Sequence, residues 1–530
     1  MKTLGVYLME LLAAYGVETV FGIPGVHTIE LYRGLAHSPI RHISARHEQS
    51  LGFMADGYAR VSGKPGVCLV ISGPGLTNIL TAMGQAYADS VPMLVISGVN
   101  AQGKAGSGNG HLHELPDQQA LARQVSAFSH SLARAEELPQ VLARAFAVFD
   151  GERPRPVHIE IPLDLMACPA DHLPLPTRPA RLRRSSADTQ GLQQAARWLE
   201  EARRPLILAG GGACHASTAI TRLAEQLDAP VLMTINARGL LPADHPLALS
   251  CSPSLPAART LIEDSDVVLA LGTELGPTDY DMYANDGFRL PGRLIRVDID
   301  PQQLFRNRMA DLPLLGDTAV TAEALCTRLA GHQGDTHGAQ RAAGARAAFQ
   351  RELDPQSCTD LALLRQIRDA LPAARWVGDS TRLVYAGNLG FEAHAPRSWF
   401  NASVGFGSLG YGLPAAIGAA LADPARPVIC LVGDGGLQFT LAELGSAMEH
   451  DIPLIVLLLN NHSYGEIKSA MQAASVEPVG VDLFTPDFVS IARAYGWHAQ
   501  IACNEAEVVQ AVLAACRRHG PTLLEIPAAL

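Results

Sequence analysis

The sequence predicts an α/β chain of three doubly wound parallel-sheet domains, on three observations. Short runs of β-branched and aliphatic residues alternate with helical stretches along all 530 residues, as in parallel sheets covered by helices. One hydrophobic core rarely organises much more than about 250 residues, so this length is several domains' worth. Two stretches without apolar runs, 169–188 and 333–357, divide the chain into domains 1–168, 189–332 and 358–530.

The opening MKTLGVYLMELLAAYGVETVFG has one basic residue and an amphipathic pattern broken by Glu10 and Glu18. It reads as the first helix of a domain, not as a signal peptide. GVCLVISGPG and PMLVISGV read as buried strands, with TNILTAMGQAYADS as the helix between them, and the pattern continues to VHIEIPLDL. Pro, Arg and Ser then dominate PADHLPLPTRPARLRRSSAD, which reads as an exposed linker. The second domain starts with a helix over 190–202 and continues through the strands PLILAGGG, APVLMTI, SDVVLALGTEL and RLIRVDID. The stretch GHQGDTHGAQRAAGARAAFQRELDPQ reads as a partly helical linker. In the last domain RWVGDST, RPVICLVGDGG, PLIVLLLNN and PTLLEIP read as strands.

A formal charge of −11 with no dense Lys/Arg stripe excludes a nucleic-acid partner. Nine cysteines are scattered without a CxxC pair, which is neither a disulfide framework nor a zinc site. The apolar run 453–459 is strand-length, far short of a membrane span. The expectation is a cytoplasmic protein without a membrane partner.

The sharpest chemical signal is Gly433-Asp434-Gly435-Gly436 with Asn460-Asn461 following, Asn461 standing 27 positions after Asp434. Each motif ends an apolar strand, and ligands bind at the carboxyl ends of such strands. A strand–helix–strand crossover takes about 30 residues, so Asp434 and Asn461 are expected at neighbouring strand ends. A carboxylate and an amide oxygen together suit Mg²⁺, which takes few protein ligands and completes its shell with phosphate oxygens. Gly435-Gly436 lets backbone N–H groups approach a diphosphate at a helix start. Taken singly, either motif is also an ordinary turn.

The pair resembles the signature of the thiamine diphosphate family that contains pyruvate decarboxylase, benzoylformate decarboxylase and acetolactate synthase. The resemblance implies a metal held by Asp434, Asn461 and the Ser463 carbonyl, with Tyr464 and Gly465 lining the diphosphate. Gly378-Asp379-Ser380-Thr381-Arg382 is similar to a second diphosphate loop, which brings in Ser380 and Thr381. HEQ…ADGYAR resembles the family's activating segment and implies that Glu48 shares a proton with the cofactor's aminopyrimidine, a role that suits a buried Glu of raised pKa. Gly405-Phe406-Gly407-Ser408-Leu409-Gly410 implies Leu409 as the wedge that bends the cofactor and the Gly407 carbonyl as acceptor for its amine. In this family Glu48 and the metal site come from different chains, so a homodimer or homotetramer with interfacial active sites is expected.

Gly25, Val26 and His27 follow the first strand, where the family approaches its substrate, a small 2-oxo acid. Ser72-Gly73-Pro74-Gly75 and Thr77-Asn78 resemble the acetolactate synthase version of the next loop. His111 and His113 lie in KAGSGNGHLHELPDQ, where the family's decarboxylases carry proton-relay histidines; a His on a polar loop is otherwise simply solvated. With Glu114 alone nearby, no metal role is expected for them. Glu466 and Ile467 follow the metal loop, where the family reads the substrate tail. An acid at Glu466 suits a guanidinium group, or it is an exposed first-turn Glu favoured by the helix dipole.

FGIPGVHTIELYRGL, RHEQSLGFMADGYARVSGKPGVC, the LHE loop and FDGERPRPVHIEIPLD resemble the subgroup that decarboxylates 5-guanidino-2-oxopentanoate. An acetolactate synthase-like carboligase is the alternative, and a non-catalytic cofactor-binding protein is the alternative of another class. Acetolactate synthases carry FAD on the central domain. Here Leu271-Gly272-Thr273-Glu274-Leu275-Gly276 lacks their pattern and Gly210-Gly211-Gly212-Ala213 is not GxGxxG, which argues against FAD.

Overall fold

The computed structural model describes residues 2–177, 180–282 and 287–527. Three six-stranded sheets follow one another, and every pairing of named strands is parallel. The first holds β1 (Thr19–Gly22), β2 (Arg41–Ile43), β3 (Gly66–Val70), β4 (Met93–Val99), β5 (Phe128–Ser131) and β6 (Val157–Pro162), in the order β2-β1-β3-β4-β6-β5. The second holds β7 (Pro205–Ala209), β8 (Val231–Met233), β9 (Ala248–Leu249), β10 (Val267–Leu271), β11 (Arg293–Asp298) and β12 (Leu312–Leu315), ordered β12-β11-β10-β7-β8-β9. The third holds β13 (Arg375–Gly378), β14 (Trp399–Asn401), β15 (Val428–Gly433), β16 (Ile455–Asn460), β17 (His498–Ile501) and β18 (Thr522–Pro527), ordered β14-β13-β15-β16-β18-β17.

The first and third sheets thus share one topology. In each the strand order reverses between the first and third strands, the place where open sheets of this kind bind ligands at their carboxyl ends. Central strands such as GVCLV and IVLLL are buried along their whole length, which is why they read as continuous apolar runs. The stretch read as an exposed linker begins by packing back: Thr3 bridges Pro169, and Ala170 and Leu173 are buried beside the first helix, Leu4–Ala14. The second weak stretch contains the helix Gly338–Glu352.

The first and third domains share a core. The helix Glu48–Ser62 crosses the helix Gly412–Ala422 so closely that a Cβ on Gly418 would stand 1.9 Å from the Met54 carbonyl oxygen, and one on Gly57 2.0 Å from that of Ala415. Glycine is needed at both crossings because the backbones themselves touch. Arg60 ties three domains together from this helix, its guanidinium lying over the Phe400 ring of the third domain, 5.5 Å from the ring centroid. It pairs with Asp56 and Asp89 at 2.6 Å each and donates to Asn236 Oδ1 at 3.3 Å. All nine cysteines are unpaired. Among the described residues no helix is long and apolar enough to cross a membrane.

Candidate active site

In the third sheet β15 and β16 pair with Gly433 opposite Leu459, so Asp434 and Asn461 emerge from neighbouring strand ends. Asp434 is 1% exposed; its Oδ1 accepts the Asn461 N–H at 3.4 Å, and its Oδ2 is buried without a partner. Burial raises this carboxyl above its ordinary range, partly opposed by the Asn461 N–H. The first asparagine does other work, since Asn460 Nδ2 donates to Glu525 Oε1 at 2.7 Å on the next strand. Asn461 Oδ1 accepts the Ser463 N–H at 3.1 Å. The loop after it is clamped: Ser463 bridges Asp482, the Tyr464 N–H donates to the Val481 carbonyl at 2.8 Å, and the Leu483 N–H to that of His462 at 2.9 Å.

The glycines close round this point. A Cβ on Gly435 would stand 2.6 Å from the Tyr464 ring, one on Gly436 3.1 Å from the Asp379 carboxyl carbon, and one on Gly433 3.3 Å from Thr381 Oγ1. The Asp379 carboxylate, 1% exposed, accepts from the Ser380 N–H at 2.8 Å and the Gly412 N–H at 3.1 Å. Ser380, Thr381, Gly433, Gly435, Gly436, Tyr464 and Gly465 therefore meet round Asp434. Asp379 is named in the sequence only as part of the segment Gly378–Arg382, without a role of its own; the structure shows it tying the Ser380 turn to the start of the helix Gly412–Ala422. An orphaned buried carboxylate oxygen beside bare backbone fits a hard divalent cation carrying a diphosphate.

The first sheet builds the second half. Glu48 is the first residue of its helix, half-buried, with Oε2 accepting from Asn78 Nδ2 at 2.9 Å. His27, 8% exposed, bonds through Nδ1 to Ser72 Oγ in a short contact, and its ring stands edge-on to that of His113 with centroids 5.1 Å apart. Burial, then the neighbouring His113, lowers the His27 pKa. The loop bearing His111 and His113 is organised by Glu114, whose carboxylate accepts from Ser107 Oγ at 2.8 Å and from the N–H groups of Gly108, Gly110 and His111 at 2.7, 2.9 and 2.9 Å. These four donors hold it at about 2.

Gly25 and Val26 lie at the same end, Val26 62% exposed. Glu466 and Ile467 lie on the other half, on the helix Gly465–Ala473, which buries none of its residues. Burial raises the Tyr385 phenol, opposed by its hydrogen bond to Ser380, with the nearby Glu466 charge adding a smaller rise.

One chain does not join the halves. Ser408 donates its N–H to Gln85 Oε1 at 3.2 Å, the Phe406 ring lies over Gly84, and Tyr411 Oη donates to Asp56 Oδ1 at 2.6 Å. Leu409 and Gly407 are therefore held level with residues 56–60 of the Glu48 helix, two to three turns or roughly 15 Å from Glu48.

At the carboxyl ends of β7, β10 and β11 lies a cavity of about 320 Å³, lined by Gly210, Gly211, Gly272 and Asp298 among others. Arg153 and Glu274 from its lining form an ion pair.

Fold and site together define a thiamine diphosphate enzyme, and the chain belongs to that family. Its three parts match the thiamine pyrophosphate enzyme models for the N-terminal TPP-binding domain over 2–121, the central domain over 192–325 and the C-terminal TPP-binding domain over 377–526. It is 48% identical to "Probable 2-ketoarginine decarboxylase AruI" of Pseudomonas aeruginosa, over 99% of this chain and 94% of that one. It is 30% identical to the large subunit of acetolactate synthase isozyme 1 of Escherichia coli, over 98% and 93% of the two chains. A probable acetolactate synthase large subunit of Methanocaldococcus jannaschii is 31% identical, over 98% and 90%.

Proposed function

We propose that this chain decarboxylates 2-ketoarginine, 5-guanidino-2-oxopentanoate, to 4-guanidinobutanal, with thiamine diphosphate held through Mg²⁺. Asp434, Asn461 and the Ser463 carbonyl would hold the metal, and Ser380, Thr381, Gly435, Gly436, Tyr464 and Gly465 the diphosphate. When bound, the cofactor supplies an electron sink next to the substrate's 2-oxo carbon, so that CO₂ can leave. The chain's own tasks are then to orient, to exclude water and to place one proton.

The observation that carries the decarboxylase reading is the His27–His113 pair. An aldehyde forms only if the carbon that lost CO₂ takes a proton, and a carboligase must withhold it. With Nδ1 engaged by Ser72 Oγ, His27 has Nε2 free to exchange a proton, and its lowered pKa keeps the ring neutral near pH 7. Glu466 would meet the guanidinium, and its proximity to Tyr385 keeps an acid and a phenol on one side of the site.

The active unit in this reading is at least a dimer, with Glu48 of one copy serving the Asp434 site of the other. The separation of Glu48 from Leu409 within a chain supports it. So do the exposed apolar side chains on both halves: Val26 and Leu112 on one, Phe406, Phe439, Ile467 and Phe484 on the other. We place the enzyme in the cytoplasm, in keeping with its unpaired cysteines, and expect the central domain to carry no flavin; a flavin absorbance band in purified protein would overturn that.

The deciding experiment measures CO₂ release from 2-ketoarginine, pyruvate, benzoylformate and branched 2-oxo acids, with aldehydes and acyloins separated. The expected result is 4-guanidinobutanal from 2-ketoarginine. Acyloin from pyruvate would establish the carboligase reading, which the Ser72–Asn78 segment and the acetolactate synthase relatives favour. Release from none of them would restore the non-catalytic one.

A further inference from the structure

Gln118 opens the short helix Gln118–Arg123, fixed there by Asp117, which accepts the Ala120 N–H at 2.8 Å. Its side chain is 4% exposed and fully engaged. Oε1 accepts the Gly73 N–H at 2.9 Å, while Nε2 lies 2.9 Å from the Gly98 carbonyl, 3.0 Å from Glu160 Oε2 and 3.1 Å from Ser97 Oγ. Two N–H bonds are thus shared among three acceptors. Gly73 follows Ser72, whose hydroxyl holds His27. Gly73 has a left-handed φ of +63°, and a Cβ there would stand 2.5 Å from the His113 carbonyl oxygen. His113 itself has φ of +60°. A Cβ on Gly98 would stand 2.8 Å from the His27 carbonyl oxygen. One amide therefore grips the backbone under both histidines.

Resting on the reading of His27 and His113 as the proton-handling groups, we propose that Gln118 is their positioning residue: it staples the Ser72–Gly73 turn to the ends of β4 and β6. Only an amide can accept from Gly73 and donate to Gly98 and Glu160 from one place; an ionised carboxylate cannot donate, and Asn is a methylene short. Behind it, Ser97 Oγ meets His158 Nε2 at 2.8 Å, and His158 Nδ1 meets Ser129 Oγ at 2.7 Å. Burial holds His158 at about 3, so this chain of groups is a scaffold and not a proton store at neutral pH.

The test compares Gln118→Glu, Gln118→Asn and the double variant Gln118→Glu/Glu160→Gln in the holoenzyme. It reads kcat, KM, the pH profile of kcat, cofactor saturation and the thermal midpoint. The titratable groups facing the amide and the pair are Glu160, Asp117, His27 and His113. Displacing reacting groups by about 1 Å costs about a hundredfold, so Gln118→Glu is expected to lower kcat by roughly tenfold to a hundredfold and displace its pH profile, with KM and cofactor saturation nearly unchanged. The double variant, which sets an amide donor opposite the new carboxylate, recovers at least about half of the logarithmic loss. Gln118→Asn, which preserves polarity and charge, shows the same displacement if the Glu variant does not fold. An unshifted pH profile, or a loss that merely follows the folded fraction, overturns the proposal. His27→Ala and His113→Ala run in parallel separate the two failures. Wild-type kcat in both sinks the reading of the pair; loss in both with an unaltered Gln118→Glu sinks Gln118 alone.

Discussion

The Asn461 N–H donates to Asp434 Oδ1 at 3.4 Å, while Oδ2 of the same carboxylate is buried with no partner. The two residues stand at adjacent strand ends, with one carboxylate oxygen bonded and the other buried without a partner, the oxygen that a cation would take in the proposed reading. Loss of an outer-shell partner alone costs about 10–100-fold in metal affinity, so Asp434→Asn should weaken Mg²⁺-dependent thiamine diphosphate binding by at least that much. Calorimetry with saturating Mg²⁺ checks it, and unaltered binding would remove Asp434 from the metal site.

Glu48 is held by Asn78 and stands far from Leu409 in its own chain. Glu48→Gln should retain cofactor yet lose about 10²–10⁴-fold in kcat. Mixing it with Asp434→Asn should restore activity, because a mixed dimer has one site with both residues intact. Inactive mixtures of proven heterodimers would show that each site draws both residues from one chain.

Glu466 lies exposed beside Tyr385. A hydrogen bond to a charged group contributes about 1.5–3 kcal/mol, so Glu466→Ala should lower kcat/KM for 2-ketoarginine by roughly tenfold to a hundredfold and spare an uncharged 2-oxo acid. Equal loss on both substrates would end the guanidinium assignment.

His158 is fully buried and its pKa is pushed down from 6.5 to about 3. Below pH 6.5 the unfolded chain takes up a proton that the folded chain refuses, so stability is complete above 6.5 and falls as the pH drops towards 3. Each unit is about 1.4 kcal/mol. Thermal midpoints measured from pH 7 to pH 4 should fall less steeply for His158→Gln than for the parent; parallel slopes would mean that other groups govern acid sensitivity.

Much of this was legible in the sequence. The central strands carry continuous apolar runs because helices cover both faces, and their carboxyl ends display Gly433-Asp434 and Asn460-Asn461 at a crossover's spacing. The edge strands β2, β5, β14 and β17 were not legible. They have three or four residues, and three of the four carry polar or half-exposed side chains in FSHS, HAQI and RHI; only pairing with a neighbour makes them strands.

By itself the sequence determined the succession of three parallel sheets, the placing of Asp434 and Asn461 at neighbouring strand ends and the candidate histidines, since each is written in residues a few positions or one crossover apart. The tertiary structure alone decided that His27 meets Ser72, that Gln118 meets Gly73, and that Glu48 meets Asn78 and not Leu409. The first two contacts each span 45 positions. Their partners are chosen by strand order and helix crossing, which follow from burial over whole domains and leave no mark in any local stretch of residues.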